Sequence, residues 1–93
     1  MVVGTLEIEL FLGEASTLKE KRRVLKSIID RVKSKFNVSI AEVDMQDMWQ
    51  RSMLGVACIS NQTSHAQSIL NNVANFIEYQ GNAEVISIHT EIL

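Results

Sequence analysis

Residues Val2 to Leu12 alternate, with Leu6, Ile8, Leu10 and Leu12 on one side and Thr5, Glu7, Glu9 and Phe11 on the other, the period of a half-buried strand. A strand is predicted here, with Leu6, Ile8 and Leu10 inward. The run LKEKRRVLKSIIDRVKSKF, from Leu18 to Phe36, then changes period. Leu18, Leu25, Ile28, Ile29, Val32 and Phe36 fall into one stripe when successive residues are turned by about 100°. Thr17 followed three residues later by Glu20 reads as a capping box, in which hydroxyl and carboxylate satisfy free N–H groups at the helix start. The helix is therefore expected to begin at Thr17 or Leu18.

Val38 to Met45, VSIAEVDM, is β-branched enough for a second strand, with a turn over Gln46 to Met48. Trp49 to Ser60 places Leu54, Val56 and Cys58 on one face and Met53, Gly55, Ala57 and Ile59 on the other. Both faces are apolar, which predicts a central strand rather than an edge. Asn61 to Ser64 supplies capping residues for a second helix, marked by Ala66, Ile69, Leu70, Val73 and Ile77. Gly81 and Asn82 end it. Glu84 to Ile92 is expected to be the last strand, with Ile86 and Ile88 inward and Val85, Ser87 and His89 on the opposite face.

The order βαββαβ predicts a single ferredoxin-like α+β domain over residues 1–93: a four-stranded antiparallel sheet with two helices on one face. Right-handed crossovers favour strand order 4-1-3-2. Leu25, Ile29 and Val32 should then meet Ile69, Leu70 and Val73 over Ile8, Leu54 and Val56. The uncovered face would carry Glu7, Glu9, Phe11, Arg51, Met53, Gly55 and Ala57. A patch of Val43, Met45, Trp49 and Met53 near one edge would be unusually apolar for a solvated face, as association surfaces are.

Charge changes this picture most. Lys19 to Lys35 holds eight of the nine basic residues against Glu20 and Asp30, a balance of +6, while the rest of the chain sets Arg51 against nine acids, a balance of −8. On a helical wheel Lys19, Arg22, Arg23, Lys26 and Lys33 lie within about 100° of arc. Such a ridge is either a solvated face or a docking surface for an anionic partner.

Composition narrows the classes. With 46% hydrophobic and 22% charged residues and no biased stretch, the 93 residues suit one folded domain. No apolar run reaches the ~20 residues of a membrane helix, and the start MVVGTLEIEL has no secretory pattern, so a cytoplasmic protein with no membrane partner is expected. Cys58, the only cysteine, forms no internal disulfide and sits in an apolar strand, where an inert buried thiol is the default. His65 and His89 have no acid or thiol nearby at metal-ligand spacing. The turn Gly13 to Thr17 lacks the glycines and the Lys-Ser/Thr end of a phosphate loop. No nucleophile or acid–base constellation stands out. Neither enzyme activity nor a cofactor or metal is expected, and catalytic residues are none. Base stacking on the sheet is disfavoured, because mid-strand Met53, Gly55 and Ala57 stand where aromatics would be needed.

The runs STLKEKRRVLKSI (Ser16 to Ile28) and FNVSIAEVDMQDMWQRSMLGVACISN (Phe36 to Asn61) resemble the YlxP-like family, small bacterial proteins classed as a domain of unknown function. Thr17 departs from the serine of the family pattern but keeps a capping hydroxyl. The resemblance implies a ferredoxin-like fold and no established catalytic residues. Family genes often neighbour those of translation and ribosome-maturation factors, which points to an RNA-linked role. The function expected is thus non-enzymatic binding of RNA or ribosomes through Lys19, Arg22, Arg23, Lys26 and Lys33. The alternative is a homodimeric interaction module using the open sheet face around Trp49, Arg51 and Met53, its basic helix only solubilising.

Overall fold

The computed structural model describes residues 1–93 and contains β1 (Val2–Phe11), α1 (Leu18–Lys35), β2 (Ser39–Asp44), β3 (Arg51–Ser60), α2 (Thr63–Tyr79) and β4 (Glu84–Ile92). All strand pairs are antiparallel, in the order β2-β3-β1-β4, which is 4-1-3-2 read from the other edge. β3 and β1 are central, the position that the two-sided apolar pattern of β3 predicts. The inward residues Leu6, Ile8 and Leu10 of β1 and Leu54, Val56 and Cys58 of β3 are buried under both helices, with Leu25, Ile28 and Val32 from α1 and Ala66, Leu70, Val73 and Ile77 from α2. Ile29 and Ile69 are half-buried against the same cluster. Gly4 lets α2 approach β1: a Cβ there would stand 2.9 Å from Leu70 Cδ1.

Thr17 caps α1 as its spacing predicts, its hydroxyl accepting from the Glu20 N–H at 3.1 Å. The reciprocal half is displaced by one residue. The Glu20 carboxylate accepts from the Ser16 N–H at 3.3 Å and the Ser16 hydroxyl at 3.0 Å, rather than from Thr17. Gly81, left-handed at φ 72°, closes α2.

β4 departs from its expected facing. Its register against β1 shifts between Glu9 and Leu10, so that Ser87 pairs with Glu9 but Val85 with Leu10. Ile86 is the residue left over by this bulge. Val85 consequently packs against the core instead of joining the open face. Ile86 is 43% exposed, not inward. Ile88 does lie opposite Ile8, yet it is 48% exposed because β4 is an edge strand. A second bulge, between Glu42 and Asp44, leans Val43 over Gly55, where a Cβ would stand 2.8 Å from Val43 Cγ1.

Candidate functional site

Within α1, rotation about the helix axis decides which charges face out. Lys21 lies in step with Leu25, Ile28 and Val32 at intervals of four, seven and eleven, and like them it is fully buried. Its ammonium forms an ion pair with Glu42 of β2 at 2.9 Å and donates to the Met45 carbonyl at 2.6 Å. Met45 is left-handed at φ 63°. The buried Ser52 hydroxyl of β3 donates to the same Glu42 oxygen at 2.7 Å. A charge removed from water is tolerated only with such partners. One of the eight cations in this stretch is therefore consumed internally, a role the wheel position of Lys21 among apolar residues could have disclosed.

Turning that arc inward leaves Lys19, Arg22, Arg23, Lys26 and Lys33 exposed on the side of α1 away from the sheet. Lys26 bonds Asp30 one turn on at 2.8 Å, both side chains exposed. That hydrogen bond first, and the carboxylate's charge second, raise the Lys26 ammonium above its ordinary pKa. The other four form no ion pair. Arg23 borders a depression with Glu14, Glu20 and Asn82, so besides Asp30 the acids near the ridge lie at the start of the helix.

Arg51 and Met53 lie on the opposite side of the molecule, on the open sheet face. Arg51 bonds Glu9 across the β1–β3 pair at 2.8 Å, so its cation is engaged. Met53 is half-buried beside it, paired with Glu9 and Asp44. Trp49 precedes β3 and is 57% exposed, next in sequence to Met48 at 47%, while Val43, 51% exposed, leans over Gly55. The apolar patch thus belongs to the β2–β3 hairpin end, with Met45 withdrawn into the turn. Across this open face Glu7, Glu84 and Glu91 are exposed, which makes it acidic where α1 is basic. Cys58 is buried, its Sγ 3.8 Å from the Ala66 carbonyl. His65 meets Ser60 Oγ at 3.0 Å, and His89 is exposed opposite Glu7.

Sequence reasoning missed one further grouping. At the C-terminal ends of both helices, Phe36 and Phe76 meet edge to face, 5.5 Å between centroids, and the Lys35 ammonium sits 4.7 Å from the Phe76 centroid. They line a groove with Asn72, Asn75 and Tyr79. These residues are some forty positions apart in the chain, so periodicity carries no trace of their meeting.

Comparison with known proteins gives a family without an assigned activity. A family model described as a protein of unknown function (DUF503) matches residues 3–90. The chain is 44% identical over 77 residues to "Uncharacterized protein YlxP" of Bacillus subtilis (strain 168), covering 83% of this chain and 84% of that protein. In structure it is similar to a de novo designed protein with ferredoxin fold solved by solution NMR, with a TM-score of 0.60 and 19% identity over 99% of this chain and 85% of that one. This likeness supports the architecture alone.

Proposed function

The chain belongs to the DUF503 family of proteins of unknown function, and we propose that it is a non-catalytic RNA-binding protein that lays the outer face of α1 along a phosphate backbone. The carrying observation is the division of labour among the cations: Lys21 is buried and paired, whereas Lys19, Arg22, Arg23 and Lys33 are exposed without an ion pair on a single face. Like charges at neighbouring helical positions destabilise a helix by a few tenths of a kcal/mol per pair. A phosphate backbone offsets that repulsion and releases counterions as it binds. Ribosomal RNA, which presents an extended phosphate surface, is the form of partner proposed.

The test is co-sedimentation with ribosomal subunits, and titration of labelled RNA, across a salt series. Parent affinity should fall steeply with salt. The variant carrying Gln at Arg22, Arg23, Lys26 and Lys33 should bind weakly, its log–log salt slope reduced by about one for each cation that had neutralised a phosphate. Its stability should stay near the parent's, since exposed substitutions shift stability by about ±0.5 kcal/mol each. A variant that binds like the parent would assign the ridge to solvation alone.

A second reading, self-association through the hairpin end, is favoured by the exposed Val43, Met48 and Trp49. Closed two-fold dimers bury one patch twice. Sedimentation equilibrium should then show a dimer at tens of micromolar that Trp49→Ser converts to monomer. A parent that is already monomeric there removes this reading.

A further inference from the structure

The groove at the C-terminal ends of α1 and α2 holds three of the five aromatic side chains of the protein. Phe36 and Phe76 form its half-buried floor. Tyr79, on the last turn of α2, stands 90% exposed at its rim, an unusual position for a large ring with no burial to gain. Lys35 covers Phe76 from the α1 side, and Asn72 and Asn75 line the α2 side. No carboxylate is among the lining residues. Arg31 reaches from α1 to the Gln80 side-chain carbonyl at 3.4 Å, and the Gln80 amide nitrogen is buried with no hydrogen-bond partner.

Two further exposed cations of α1, Arg31 and Lys35, stand beside this groove. On the helical wheel they lie on the side facing α2, separated from Arg23 by Ser27 and Ser34, so a backbone that leaves the ridge across these serines meets Arg31 and Lys35 next and reaches the aromatic rim. We propose that the groove is a base-binding site for single-stranded RNA: an unpaired base stacks on Tyr79 while the Asn72 and Asn75 amides face its edge and Lys35 faces its phosphate. This rests on the reading of α1 as a phosphate-binding face and adds that the RNA is single-stranded where it crosses the helix ends. Aromatic rings take any base by its flat face, amides offer a donor and an acceptor to a base edge, and unstacked bases are available in single-stranded RNA but not in a duplex.

The probes are a labelled 12-nucleotide oligoadenylate RNA and a 12-base-pair RNA duplex, titrated with the full chain over a salt series. Tyr79→Ala should weaken binding of the single strand by about 5- to 100-fold, the effect of losing one base–aromatic stack, with an unchanged salt slope because no charge is removed. Tyr79→Phe should bind like the parent, and duplex binding should not respond to either variant. At so exposed a position the fold is not in question, which a matched circular dichroism spectrum checks. If Tyr79→Ala binds oligoadenylate like the parent while the four-Gln ridge variant does not, the groove proposal fails and the ridge reading stands. If the parent binds neither probe, both fail. Parent binding to the duplex alone also overturns the groove proposal.

Discussion

Glu42→Ala is expected to lower the unfolding free energy by about 3 to 5 kcal/mol, the cost of removing one member of a buried ion pair. Lys21 is wholly buried, and the substitution leaves it only the Met45 carbonyl at 2.6 Å and, more distantly, that of Gln46 at 3.5 Å. The buried Ser52 hydroxyl loses its acceptor in the same step. Against a typical total of about 5 to 15 kcal/mol for a domain, such a loss takes the protein close to unfolding at ordinary temperatures. The paired change Lys21→Met with Glu42→Leu should recover much of it, because replacing a buried ion pair by apolar groups of similar size is often neutral or stabilising. Urea unfolding of the three proteins at neutral pH decides the matter. An alanine variant within about 1 kcal/mol of the parent would mean that water reaches the Lys21 ammonium when the carboxylate is gone.

This ion pair also bears on function, because it fixes the rotation of α1. Lys21, Leu25, Ile28 and Val32 occupy the buried arc, and the ridge from Lys19 to Lys33 lies well round the wheel from it. Apolar burial is non-directional, so packing alone sets the rotation of a helix less sharply than a bonded group does. Here Nζ must come to within 2.9 Å of Glu42. The buried charge therefore presents the exposed ones, a registry role of the kind best attested for buried polar groups.

Most of the architecture was legible because its elements bury one face each. The alternation in β1 placed Leu6, Ile8 and Leu10 inward, and they are buried. The two-sided apolar pattern of β3 marked a central strand, and it lies between β2 and β1. What escaped has identifiable causes. A bulge adds one residue to one strand and inverts every facing beyond it, so the alternation of Val85, Ser87 and His89 could not reveal that Val85 turns to the core. Lys21 entered the charge balance of α1 but not its ridge, and the phase it shares with Leu25, Ile28 and Val32, against the general exposure of lysine, was a sign of burial left unread. The ridge was legible because its members share one helix. The groove of Phe36, Phe76 and Tyr79 was not, because two separate helices make it.

Leu25→Ala is expected to cost about 2 to 5 kcal/mol, the range for truncating a buried leucine, which combines lost transfer free energy with the cavity left behind. The spread at fixed chemistry depends on how far neighbours can collapse, and here they have little freedom. Leu25 is 4% exposed, within a cluster whose neighbouring members Ile28, Val32 and Leu54 are each 1% exposed or less. Ile29, one position off the buried arc, is half-buried, so Ile29→Ala should cost clearly less because part of its side chain is already in water. For a domain of this size each kcal/mol moves the thermal midpoint by about 4 to 8 °C, and the two variants should separate plainly in a melting experiment. Equal losses at the two positions would show that α1 sits rotated toward Ile29. The outward direction of Arg22, Arg23, Lys26 and Lys33 would then be wrong as well, since the apolar arc and the basic ridge are two readings of one helical phase.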